Sequence, residues 1–107
     1  SLSRLTGGAS LILSLLAQAR TEAAQRAAPT FAAGVAALND HDKSGFTLQP
    51  LDQCTITAFD RALEEFTHAT AMIRKNLRYA AQQAVHHAGE PSADQRMILL
   101  LLDQVLA

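Results

Sequence analysis

The sequence predicts an all-α protein, an antiparallel bundle of three to four helices with one long central helix over about residues 55–87, assembled as an oligomer. Three observations carry this. Alanine and leucine dominate the chain, glycine and proline are few, and the β-branched and aromatic residues that favour a pleated sheet are sparse. From Thr55 to His87 apolar residues recur at spacings of three and four, the period of a helix face. Ahead of the last apolar run, Ser92 and Gln95 have the spacing of a capping box, in which two side chains satisfy backbone N–H groups that a helix start leaves open.

A chain of 107 residues has room for one core, so a single helical domain over 1–107 is expected. With 49% hydrophobic and 18% charged residues, the composition is that of a folded chain. A net charge of −1 supplies no field that would recruit nucleic acid or an anionic membrane. No apolar run approaches the ~20 residues of a membrane span. Neither nucleic acid nor membrane is therefore an expected partner. The lone Cys54 has no intrachain disulfide partner, which points to a reducing, cytoplasmic setting. The alternative is export, because Arg4, the stretch Leu11 to Ala17 and the Ala17-Gln18-Ala19 triplet imitate a signal segment over residues 1–19. Against export, the same residues run on into an amphipathic pattern.

The first helix carries a seam through Leu5, Ala9, Ile12, Leu16, Ala19 and Ala23, and Leu11, Leu13 and Leu15 spread its apolar surface to other faces. Gly7 and Gly8 weaken its first turns. Ala28-Pro29 predicts a break, since proline lacks a backbone donor and disfavours a helical conformation in the residue before it. Thr30 to Leu38 is then either a short second helix, with Phe31, Val35 and Leu38 on one face, or the kinked end of the first.

A polar connection runs from Asn39 to Pro50. In the long helix that follows, the seam is Ile56, Phe59, Leu63, Phe66, Thr70, Ile73, Leu77, Ala80 and Ala84, with Thr70 alone polar. Such a heptad-like seam packs against neighbours at a shallow angle. The helix would run roughly 48 Å at about 1.5 Å per residue. Asp60, Arg61, Glu64, Glu65, Arg74, Lys75 and Arg78 stand off the seam, acids first and bases last, as the helix dipole favours. Gly89 and Pro91 stop it.

In the final helix Met97, Ile98, Leu99, Leu100, Leu101 and Leu102 are consecutive apolar residues that, at about 100° each, cover every side. A helix in a small bundle buries one stripe and leaves the rest to water. These six, together with Leu11 and Leu15, are accordingly the expected interface of a two-fold homodimer of at least ~1,000 Å².

Candidate chemistry is sparse. Asp40, Asp42, Ser44 and Gly45 match positions one, three, five and six of a calcium loop of the EF-hand kind, which the segment resembles in degenerate form. The twelfth position, where a bidentate glutamate belongs, is Leu51. The competing reading is a solvated turn in which Asp and Ser bond their own backbone and Gly45 takes a positive φ. Glu65-x-x-His68 has the ligand spacing of di-iron bundles, yet it lies on the outer face and has no second copy. Arg61 and Glu65 are spaced there for an i,i+4 ion pair. His86 and His87 end the long helix near Glu90, as dipole partners or as metal ligands. Cys54 stands near a helix start that would lower its thiol pKa, or it is a small buried hydrophobe. Arg74, Lys75 and Arg78 with Tyr79 form a local basic patch.

No phosphate-cradling loop, zinc-peptidase helix, nucleophile elbow or paired CxxC occurs, and no cofactor is expected. The resulting expectation is a non-enzymatic helical protein–protein interaction module that binds itself or another helical protein. The alternatives are a metal-responsive protein using the 40–51 loop and a small enzyme with a dispersed site.

The seam predicts a stability contrast. Phe66→Ala should cost about 3–5 kcal/mol through lost transfer energy and cavity formation, and Glu65→Ala almost nothing. Chemical denaturation that ranked the two the other way would place the seam on the wrong face.

Overall fold

A computed structural model describes residues 2–20, 23–40 and 42–107. Five α-helices, α1 (Thr6–Gln18), α2 (Ala23–Ala36), α3 (Ile56–Thr67), α4 (Ala71–His87) and α5 (Ala93–Val105), are joined by irregular segments and by two 3-10 turns, Leu2–Leu5 and Leu51–Gln53. More than two thirds of the described residues are helical and none forms a strand. Among the described residues the α-helices number five, where three to four were expected.

The additional helix comes from the segment expected to be one long helix over 55–87. It breaks at His68, Ala69 and Thr70. A straight helix of roughly 48 Å would overrun a molecule whose longest extent is 34 Å. Local chemistry sets the place. Thr70, the polar exception in the seam, has extended dihedrals, and its hydroxyl accepts the Ile73 N–H at 3.3 Å as the N-cap of α4. The Ala69 carbonyl accepts from Arg74 Nη1 at 2.6 Å. Seam residues on both sides of the break still turn inward, with Phe59, Leu63, Phe66, Leu77, Ala80 and Ala84 buried. Ile73 is only half-buried, and Ile56 is 83% exposed and outside the core.

The most apolar helix lies at the centre. α1 packs against α2, α3 and α4 and buries Ala9, Ile12, Leu13, Leu16 and Ala17 together with Ser10 and Ser14. Its excess of apolar residues is thus used within the chain, and Leu11 and Leu15 are half-buried against the same core. The helix stops at Gln18, well before the break expected at Ala28-Pro29, and Ala23 belongs to α2. Pro29 lies inside α2. Its ring removes the N–H that would meet the Gln25 carbonyl, and both residues are exposed, so the lost bond lies at the surface of the molecule and not in its core. Phe31, Val35 and Leu38 are buried on one side, as expected.

The C-terminal end of α2 is closed from two directions. Lys43 Nζ donates to the Val35 and Leu38 carbonyls at 2.8 and 2.7 Å, and Asn76 Nδ2 on α4 donates to the Ala37 carbonyl at 3.1 Å. Beyond Gly45 the segment Phe46–Pro50 runs along α1. There Ser10 Oγ accepts the Thr47 N–H at 3.1 Å and Ser14 Oγ the Gln49 N–H at 2.8 Å, while Gln18 Nε2 donates to the Gln49 carbonyl at 2.8 Å. Four helical residues rise about 6 Å and two extended ones about 6.6 Å, so this every-fourth, every-second match keeps both rows in step.

Close helix approach needs small residues. A Cβ on Gly34 would lie 2.9 Å from Leu13 Cδ2 and 3.1 Å from Ala84 Cβ, whereas one on Gly7 would meet nothing within 4 Å. Gly34→Ala should therefore lower stability by about 1–3 kcal/mol through overpacking. Gly7→Ala should raise it by about 0.5–1 kcal/mol, because it removes backbone entropy from a helical position. Urea titrations in which Gly34→Ala cost no stability, or in which the two substitutions had equal effects, would contradict the packing around Gly34.

Candidate functional site

The rotation of α5 about its axis decides which of its apolar residues reach the surface, and polar groups at its first turn set it. Ser92 Oγ accepts the Gln95 N–H and Gln95 Oε1 accepts the Ser92 N–H, each at 3.0 Å, which completes the expected capping box. Gln95 is fully buried, and its Nε2 donates to the Leu16 carbonyl at 3.0 Å. The Ser92 hydroxyl donates to the Ala19 carbonyl. Arg20 Nη1 donates to Gln95 Oε1 at 3.1 Å and to the Glu90 carbonyl. The carbonyls that end α1 are thereby satisfied by the start of α5.

With Gln95 held inward, Ile98, Leu102 and Leu106 share its face and are buried, and Leu99 is half-buried beside them. Ile98 and Leu102, expected at an interface, belong instead to the core of the chain. The opposite stripe keeps Met97 61%, Leu100 53%, Leu101 37% and Val105 43% exposed. Arg96 and Asp103 are exposed along one margin of that stripe. On the other, Val105 borders a shallow groove of about 420 Å³ shared with Asp60, Arg61, Leu63, Glu64 and Thr67 of α3. Leaving four apolar side chains in one row open to water costs hydrophobic free energy that a covering partner would recover.

The loop with the calcium-like spacing is built as a cap and a turn. Asp40 Oδ1 accepts the Asp42 N–H at 3.2 Å, and Asp42 Oδ1 accepts the Ser44 hydroxyl at 2.6 Å and its N–H at 2.9 Å. The Ser44 hydroxyl, and then its N–H, hold the Asp42 carboxyl below the usual carboxylate range. Lys43 points its ammonium at the end of α2. Among the described residues no three metal-ligating side chains converge. Gly45 does not take the expected positive φ, which among the described residues occurs only at Gly89, at 101°. What Gly45 provides is clearance, since a Cβ there would be 3.0 Å from Thr6 Cγ2.

The remaining candidates are dispersed. Glu65 and His68 are exposed, as the seam predicted, and His68 Nε2 lies 3.3 Å from Glu64 Oε1. No ion pair joins Arg61 to Glu65 among the described residues. Glu65 and His68 do border a cleft of about 390 Å³ with Arg4, Leu5, Ala69, Thr70 and Ile73, a mixed-sign lining with no buried polar group in it. His86 and His87 are exposed in the last turn of α4, whose Ala88 carbonyl accepts from Arg26 Nη1 at 3.4 Å. In the basic patch Lys75 and Tyr79 are exposed and Arg74 and Arg78 half-buried.

Residue spacing gave no sign of Lys43 and Asn76 as caps. Spacing showed the capping box but not that Gln95 turns inward, and it is that orientation which places Ile98, Leu99 and Leu102 on the core side.

Cys54 is half-buried, and its thiol lies 3.5 Å from the Pro50 carbonyl. Burial first, and the nearby Asp52 carboxylate second, push its pKa up, the reverse of the lowering expected at a helix start. Less thiolate at a given pH means slower alkylation. Iodoacetamide at pH 8 should react with Cys54 more slowly than with a free cysteine, and Asp52→Asn should recover part of the rate. A rate above that of free cysteine would contradict the environment described.

Compared with models of protein families, with curated proteins and with solved structures, the chain has no match to any of them.

Proposed function

We propose that this protein is a non-enzymatic interaction module that works by self-association through the exposed stripe of α5. The supporting observation is the stripe itself. Met97, Leu101 and Val105 follow one another at spacings of four, with Leu100 and the exposed Gln104 beside them, on a helix whose rotation is set by a fully buried glutamine. Surface leucines scattered singly need no explanation, but an aligned apolar row on a rigid element is the form in which helices present themselves to other helices. A second copy of the chain is the simplest cover, because closed two-fold dimers are the commonest assembly of soluble chains.

This reading separates residues that the sequence alone grouped together. Leu102→Glu should abolish folding, since it places a carboxylate in the core, whereas Leu100→Glu should leave the helical circular dichroism unchanged and convert a dimer to a monomer in sedimentation analysis. A wild-type chain that stays monomeric at high micromolar concentration would refute self-association.

A further inference from the structure

We infer that α5 pairs with α5 of a second copy in antiparallel fashion, about a two-fold axis passing beside Leu100. This rests on the self-association reading and specifies its geometry.

Charge placement carries the inference. Arg96 and Asp103 are seven residues apart, so at about 100° per residue they sit within roughly 20° of each other, on one margin of the apolar stripe. Both are exposed. Arg96 Nη1 donates to the Pro91 carbonyl at 3.0 Å, which leaves the other N–H groups of its guanidinium directed outward. When two copies of α5 lie antiparallel, like margins face each other in reverse order. Arg96 then meets Asp103 of the second copy and Asp103 meets its Arg96, giving two equivalent ion pairs about the midpoint of that interval. That midpoint lies between Leu99 and Leu100, so the exposed Leu100 stands beside the axis, with Met97 and Leu101 on the same stripe.

A parallel two-fold pair brings opposite margins together, so the margin of Arg96 and Asp103 would face the one that bears Val105 and neither ion pair would form. A membrane surface would call for a cationic margin. Here the margin is one base and one acid, a self-complementary arrangement only in reverse register.

The contact is small. A helix of 13 residues is about 20 Å long, and two of them packed along one stripe bury on the order of 1,000 Å² in total, the low end for specific association. The expected dimer dissociates in the micromolar range.

Sedimentation equilibrium from low to high micromolar concentration tests the pairing with four variants, each first checked for unchanged helical content. Arg96→Glu and Asp103→Arg should each weaken the dimer roughly tenfold, since each replaces two attractions by two repulsions. The double variant R96E/D103R should return the dissociation constant to within about threefold of wild type, because the pairs are restored with exchanged signs. Leu100→Glu should give monomer throughout. If Leu100→Glu dissociates the dimer but the single charge variants do not weaken it, or the double variant fails to recover it, the antiparallel register is wrong while self-association through α5 stands. A wild-type monomer, or a dimer indifferent to Leu100→Glu, overturns both.

Discussion

The buried carbonyl groups at the end of α1 are the constraint on which the rest of the molecule depends. A helix leaves its last carbonyls without intrahelical partners, and burial makes that vacancy costly. At that end Leu16 and Ala17 are buried, while Gln18 and Ala19 are half-buried. Gln95 and Ser92 answer with an amide N–H to Leu16 and a hydroxyl to Ala19. The same two residues cap α5, so one pair of side chains closes one helix and opens another. From that follows the rotation of α5, the burial of Ile98 and Leu102, and the outward row at Met97, Leu100 and Leu101.

The central position of α1 also explains why it carries serines. Ser10 and Ser14 are as buried as the leucines around them, and each receives a backbone N–H from the segment after Gly45. An apolar residue at either position would leave a donor of that segment unpaired against the helix. The polar connection between α2 and α3 therefore has two structural duties: Lys43 ends α2, and Thr47 and Gln49 pair with Ser10 and Ser14 along α1.

Helical class, the inward faces and the start of α5 were legible because they are written in nearest neighbours: three-four spacing, N-cap residues and a capping box. Thr70 shows the limit of that legibility. Its break in the apolar seam was visible, yet only the size of the molecule makes it a cap instead of a tolerated polar residue in a 48 Å rod. Pro29 shows the converse, a strong local signal overridden because its ring faces water. Lys43, Asn76 and Gln95 bond carbonyls far from themselves in sequence or across a turn, and residue spacing does not encode such partners. The candidate surface was half legible: the apolar run from Met97 to Leu102 was plain, while its division into core and exposed residues required the orientation that Gln95 imposes.

The hydrogen bond from Gln95 to Leu16 joins residues 79 positions apart. During synthesis α1 emerges before α5, and until α5 is made the Leu16 carbonyl has only the 3.4 Å bond from the Ala19 N–H. Contacts of such long sequence separation are closed late, after the loop entropy has been spent. The end of α1 is thus completed only by a side chain made 79 residues later, and the two helices must meet before either is fully bonded.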